Sequence, residues 1–267
     1  MVSNKIKEIV NNRRSTINKD IEFKESLNHK IQEKNQLSLS ETIKKNKSIS
    51  IISEIKPASP TLGEIRNNID VQKIANLMKN SGVVGLSVLT EPNYFNGSYI
   101  NLKTAIECTR LPCLMKDFVV DPIQFIIANQ LGATNILIIN AIENQSLEEQ
   151  YKIAIMYYLE PLIEIHDLDE IKDIKHLFDI GYKPKLIGVN NRNLNTLEIN
   201  LNTSKIIIPK LKEEFGDEVQ IISESGINSN NDIKELLSYG ADAFLIGSSI
   251  MKSNDIKKKI HELRGVI

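Results

Sequence analysis

The sequence predicts a (β/α)8 barrel of the TIM type preceded by a helical extension, on three observations. From about Ile51 onward, short Ile/Val/Leu-rich runs alternate with helix-length amphipathic stretches, the pattern of parallel strands covered by helices. Eight such units fit in the chain, and charged side chains recur at the ends of alternate apolar runs, where such barrels gather their reaction centres. An open doubly wound sheet is the competing architecture, but no G-x-G-x-x-G follows the first strand. With 267 residues, 41% of them hydrophobic and 25% charged, the chain can bury most of its unfolded surface in one core. One domain over 1–267 is therefore expected, with 1–47 as the extension.

Residues 1–47 read as polar helix in which Ile17, Ile21, Phe23, Leu27 and Ile31 are interleaved with Lys, Glu and Asn. That is too little apolar surface for a separate core, so the extension is expected to pack over one end of the barrel. Strands are expected at 50–56, 83–89, 112–116, 135–139, 159–164, 186–190, 219–224 and 243–246, with helices between them. Asp121-Pro122 pairs an N-cap acid with proline at the first helical position, and Ser146-Leu147-Glu148-Glu149 reads as a capping box. Gly132 and Gly240 stand where helices should end. The loop over 57–68 holds Pro57, Pro60 and Gly63 without a strong helix pattern, and is expected to order over a bound substrate.

A net charge of -1 and a pI near 6.5 offer no global attraction for nucleic acid or anionic lipid, so an anionic ligand needs a local site. A small molecule is the expected partner, with neither nucleic acid nor membrane. The N-terminus lacks the apolar core of a signal peptide and no apolar run could span a bilayer, so a cytoplasmic enzyme is expected. Cys108 and Cys113 fall outside any C-x-x-C spacing and read as free thiols. His29, His166, His176 and His261 are dispersed, with no H-E-x-x-H and no His/Cys cluster, so no metal site is expected.

The chemistry is concentrated at strand ends. Glu54 and Lys56 leave the first strand at period two, on one face, before Pro57 and Pro60 break it. Alone they would read as a structural ion pair. The third strand ends in Lys116, the fifth in Glu164 and the seventh in Glu224, so two lysines and three glutamates from odd-numbered strands should converge at the catalytic face. Desolvation and like charges in such a cluster are expected to lower lysine and raise carboxylate pKa values towards neutrality. The sixth strand adds Asn190 and Arg192, able to hold a carboxylate, the latter in a bidentate fork. Ser225-Gly226 after the seventh strand and Gly247-Ser248 after the eighth read as a phosphate cradle of backbone N–H and hydroxyl donors. Phe95 and Phe118 sit in rim loops, where aromatics pack on planar substrate groups.

With these motifs in order, the chain resembles indole-3-glycerol phosphate synthases over nearly its whole length. The resemblance rests on Ser53-Glu54-Ile55-Lys56 with Ser59-Pro60, Leu86 to Glu91 with Tyr94-Phe95-Asn96-Gly97, and Leu114-Met115-Lys116-Asp117-Phe118. It continues through Glu160-Pro161-Leu162-Ile163-Glu164, Gly188 to Leu194, Ser223-Glu224-Ser225-Gly226-Ile227 and Leu245-Ile246-Gly247-Ser248-Ser249. The departures are Pro57-Ala58 in place of more basic residues, Thr61-Leu62-Gly63 in the next loop, and Ser223 where alanine is usual.

The resemblance implies ring closure of 1-(2-carboxyphenylamino)-1-deoxyribulose 5-phosphate to indole-3-glycerol phosphate, with loss of carbon dioxide and water. No metal or organic cofactor is implied, and other tryptophan-pathway enzymes are conceivable docking partners. On the same ground Lys116 is expected as the general acid and Glu164 as the base for dehydration, with Lys56 and Glu54 assisting. Asn190 and Glu224 would orient the reacting chain, and Arg192 would lie nearer the anthranilate. Ser59, Ser225, Gly226, Gly247 and Ser248 would hold the phosphate, while Phe95, Phe118, Leu137 and Leu194 enclose the ring. Two other readings stay open at this point: a Schiff-base aldolase using Lys116 or Lys56, and a non-catalytic phosphometabolite-binding barrel.

Overall fold

Every strand of the alternating pattern forms, and the eight close into a parallel barrel in the computed structural model, which describes residues 2–27, 30–33, 38–142 and 146–266. His29 lies outside the described residues. The strands are β1 (Ile51–Ile55), β2 (Gly85–Leu89), β3 (Cys113–Lys116), β4 (Asn135–Ile139), β5 (Glu160–Ile165), β6 (Leu186–Asn190), β7 (Gln220–Glu224) and β8 (Ala243–Ile246). Each pairs with its sequence neighbours, and Ile52 beside Leu245 closes β8 onto β1. Boundaries differ from expectation by a residue or two; Lys56 lies just past β1. Leu114, Leu162, Leu186 and Ile222 fill the barrel interior with Ile52 and Leu245, whereas the intervening residues of the strands pack outward on the helices.

Helix ends follow the local chemistry. Ser146 and Glu149 form the reciprocal capping box of Leu147–Met156. Pro122 already has helical dihedrals, and the Asp121 carboxylate accepts the Ile123 N–H at 2.9 Å, so the acid caps Ile123–Leu131 as the motif requires. Gly132 ends that helix at φ +87°, a left-handed conformation that favours glycine. Cys113 is buried and Cys108 half-buried, both as thiols, and burial pushes Cys113 up to about 12. No helix among the described residues is long and apolar enough to cross a membrane.

The loop over 57–68 forms no helix. It carries a short hairpin, Ala58–Ser59 against Gly63–Glu64, and Ala58 N–H donates to Phe95 O at 3.1 Å. Strands of two residues are too short to print a period on the sequence.

The N-terminal segment reaches both ends of the barrel rather than one. Its helices are α1 (Asn4–Ser15), α2 (Ile17–Ser26) and α3 (Leu39–Lys45). Ile6, Ile9 and Val10 of α1 pack with Phe118 past β3, whereas Ile21 and Ile31, expected among the packing residues, are exposed. At the opposite end Leu39 and Ile43 of α3 join the interior cluster, and Ser40 N–H donates to the Glu160 carboxylate at the start of β5. The decisive contact is polar. Arg13, 1% exposed, pairs with Asp117 (3.0 Å) and Asp20 (2.6 Å) and donates to Tyr99 Oη, while Thr90 Oγ1 donates to Asp117.

Removing Arg13 strands two buried carboxylates without their cation, which is far costlier than losing an exposed pair. Arg13→Ala is expected to lose about 3–5 kcal/mol of stability, measured by chemical denaturation. An unchanged denaturation midpoint would show that the network contributes nothing.

Candidate active site

The charged ends of β1, β3, β5 and β7 meet at the C-terminal mouth of the barrel. Lys116 Nζ donates to Glu164 Oε2 at 2.9 Å and to Glu224 Oε2 at 2.5 Å. Lys56 Nζ lies 2.5 Å from Glu54 Oε1, and Ser87 Oγ donates weakly to Glu54 Oε2. All three glutamates are buried. The even strands and the loop after β8 leave room for them. Gly188 sits beside Glu164 in the ladder, and a Cβ there would run into Glu224 Oε1; a Cβ at Gly247 would run into Glu54.

Charge balance in the cluster departs from the expectation of a lysine lowered towards neutrality. Burial works to lower Lys116, but the Glu164, Glu224 and Glu54 carboxylates outweigh it and hold the ammonium well above the ordinary lysine range. Burial likewise works to raise Glu164, yet Lys116 and His166 hold it well below the usual carboxylate range. Glu224 takes up the imbalance. Burial pushes it up against the pull of Lys116, the Glu164 carboxylate adds to the push, and it reaches about 7.

A cavity of about 500 Å³ opens over this cluster. Every candidate site residue read from the sequence lines it, from Lys56, Ser59 and Phe95 round to Asn190, Ser225 and Ser248. Phe95 and Phe118 face each other across the rim with ring centroids 6.2 Å apart, beside Leu137 and Leu194. Asn190 Oδ1 accepts the Arg192 N–H, and Arg192 Nη1 donates to Leu197 O, which fixes the guanidinium at the wall; burial lowers its pKa. Ser225 (φ +69°) and Gly226 (φ +85°) are successive left-handed residues, and an added Cβ at Gly226 would come within 2.6 Å of Ile199. Ser249 Oγ donates to Ile227 O, tying the loop after β8 to the one after β7.

Four residues shape the site through contacts that the sequence does not show. Asp117, directly after Lys116, is anchored to Arg13. Asn191 donates to Ser223 Oγ, Glu224 O and Ser225 O and accepts the Ser204 N–H, holding the end of β7 in place. Glu91, fully buried, accepts the N–H groups of Asn93, Tyr94 and Phe95 and so shapes the loop carrying Phe95. His166 sits 3.2 Å from Glu164. The Ser223 departure is benign: its hydroxyl faces Ser204 at 2.7 Å, away from the cavity. Lys5, Ile6 and Ile9 also line the cavity, supplied by the extension.

The family model for indole-3-glycerol phosphate synthase matches residues 5–263. The chain belongs to that family. The indole-3-glycerol phosphate synthase of Methanocaldococcus jannaschii is 43% identical over 265 residues, 97% of this chain and 92% of that protein. That of Aquifex aeolicus is 35% identical over 261 residues, 97% of this chain and 98% of its own length. Among solved structures, a 3-hexulose-6-phosphate synthase superposes with a TM-score of 0.62 at 13% identity, over 82% of this chain and 100% of that one; this likeness speaks for the fold alone. Among the described residues, no group of three or more His, Cys, Asp or Glu is placed to hold a metal ion.

The raised Glu224 has a consequence for stability in this synthase-family chain. The folded state holds that proton more tightly than the unfolded chain, so the stability it contributes is complete below about 4.5 and is lost as pH rises through about 7. Glu224→Gln, which does not titrate, is expected to raise the denaturation midpoint over the parent above that window and to lose the advantage below it. A midpoint difference independent of pH would contradict the shift.

Proposed function

We infer that the chain is an indole-3-glycerol phosphate synthase, a carboxy-lyase of tryptophan biosynthesis acting on a phosphorylated small molecule. The observation that carries the reading is the Lys116 ammonium, half-buried between Glu164 and Glu224 in a cavity that Phe95 and Phe118 also line. The reaction joins an anthranilate ring carbon to the ketone of a deoxyribulose chain, and builds negative charge on the ketone oxygen as it does so. A fixed ammonium stabilises that charge and gives up a proton once the oxygen becomes alkoxide-like, because the oxygen is then the stronger base.

The remaining roles follow from position. Arg192 and Lys56 offer cations to the anthranilate carboxylate before it leaves as carbon dioxide, returning its electron pair to the ring. Loss of the hydroxyl as water, with a proton taken from the adjacent carbon, completes the indole. Glu164, held ionised, is the base for that proton. Glu224 Oε1 is buried without a hydrogen-bond partner among the described residues, which suits it to a substrate hydroxyl, with Asn190 beside it in the ladder. Lys56 and Glu54 form the second proton-carrying pair. Ser59, Ser225, Gly226, Gly247 and Ser248 ring the end of the cavity where the phosphate would lie, and Leu137 and Leu194 close on the ring.

The covalent alternative through Lys116 is disfavoured by the same surroundings. A Schiff base needs a neutral amine, and Lys116 is surrounded by three carboxylates that keep it protonated.

Lys116→Ala is expected to cut kcat by about 10²- to 10⁴-fold with little change in KM, since phosphate and ring contacts supply most ground-state binding. Lys116→Arg should rescue poorly, because a guanidinium keeps the charge but does not release its proton. The readout is indole fluorescence with 1-(2-carboxyphenylamino)-1-deoxyribulose 5-phosphate as substrate. No indole product from the parent protein would overturn the reading, and a loss confined to KM would move the acid role to Lys56.

A further inference from the structure

His166 follows β5 directly, two residues past Glu164, and its side chain is 7% exposed. It does not line the cavity. Its Nε2 lies 3.2 Å from Glu164 Oε1, the oxygen that Lys116 leaves free, and its Nδ1 lies 3.8 Å from Glu170 Oε1. Glu170 is itself fixed. It accepts the N–H groups of His166 (2.7 Å) and Asp167 (3.2 Å) on one oxygen, and Asn140 Nδ2 (3.1 Å) on the other. Asn140 is shared in turn with Asp173.

Both ring nitrogens are thus shut off from solvent, and neither makes a hydrogen bond of good geometry among the described residues. A neutral imidazole in this place would aim one lone pair at a carboxylate. The imidazolium instead sets a positive charge between the two carboxylates, so the flanking acids favour the charged form. Burial works against that charge, but Glu164 and Glu170 outweigh it and bring the group up to about 9.

We propose that His166 is a positioning residue that keeps Glu164 ionised and correctly aimed when Lys116 turns to the substrate. In the free enzyme Lys116 and His166 divide the two Glu164 oxygens between them. Once Lys116 engages the ketone oxygen, His166 is the cation that stays with the base. The charged groups facing the ring are Glu164 from β5 and Glu170 from the turn Leu168–Glu170, with Lys116 beyond Glu164 and Asp173 beyond Glu170. The proposal rests on Glu164 acting as the base, as inferred above.

The test is the pH dependence of kcat in His166→Gln. Without the imidazolium, Glu164 takes up a proton at higher pH, so kcat near pH 6 should fall about tenfold or more against the parent. Near pH 8 the loss should be much smaller, with KM within about twofold throughout. A uniform loss across the pH range, or none, would overturn the proposal. A second measurement needs no variant: ¹⁵N NMR of the His166 ring in the intact protein should show both nitrogens protonated at neutral pH, and a neutral tautomer would overturn it. Glu164→Gln separates the two claims. If that variant keeps full turnover the assignment of the base fails; if it is inactive while His166→Gln has the parent's pH profile, only the role of His166 fails.

Discussion

One lysine shared by two buried carboxylates organises this molecule. The barrel register brings Lys116, Glu164 and Glu224 to the same level from three odd strands, and none of the three could be buried there without the others. The surrounding sequence accommodates them. Gly188 and Gly247 stand where a Cβ would strike Glu224 and Glu54, and Ser87 rather than a branched residue faces Glu54. Because two acids share one base, their titrations split, with Glu164 driven down and Glu224 up to about 7. Neighbouring groups of one residue type are thereby given different charge states, Glu164 held ionised and Glu224 poised to titrate near neutrality.

The cluster is held from outside the barrel as much as from within. Asp117 follows Lys116 directly and is tied through Arg13 to α1 and α2, so the extension fixes the end of β3. Asn191 does the same for the end of β7 through three donated hydrogen bonds and one accepted. Glu91 gathers the Phe95 loop, whose carbonyl in turn receives the Ala58 N–H of the hairpin after β1. Packing sets the barrel, and buried polar networks aim its mouth.

What could be read from the sequence was whatever repeats or sits at a fixed spacing. Eight apolar runs and charges on alternate run ends located Glu54, Lys56, Lys116, Glu164 and Glu224, and every residue chosen from the strand-end motifs lines the cavity. What escaped depends on distant partners or on counting charges. Arg13 and Asp117 are 104 residues apart, and nothing local marks either as half of a pair. His166 was passed over as a solitary histidine because its significance lies in Glu164 and Glu170, which only the strand and the following turn bring to it. The direction of the Lys116 shift was missed for a related reason. Burial lowers a lysine, but here three carboxylates surround it, and the sum has the opposite sign.

That Lys116 is an ammonium held by its carboxylate neighbours underlies the charge pattern of the whole site. It is tested most directly by following the Lys116 Nζ resonance of the ligand-free protein by ¹⁵N NMR as pH is raised. The expected result is a side chain that stays protonated through the ordinary lysine value of 10.5 while exposed lysines titrate. A Lys116 resonance that titrates at or below that value would contradict the account, because the two glutamates would then not be paired with a fixed charge.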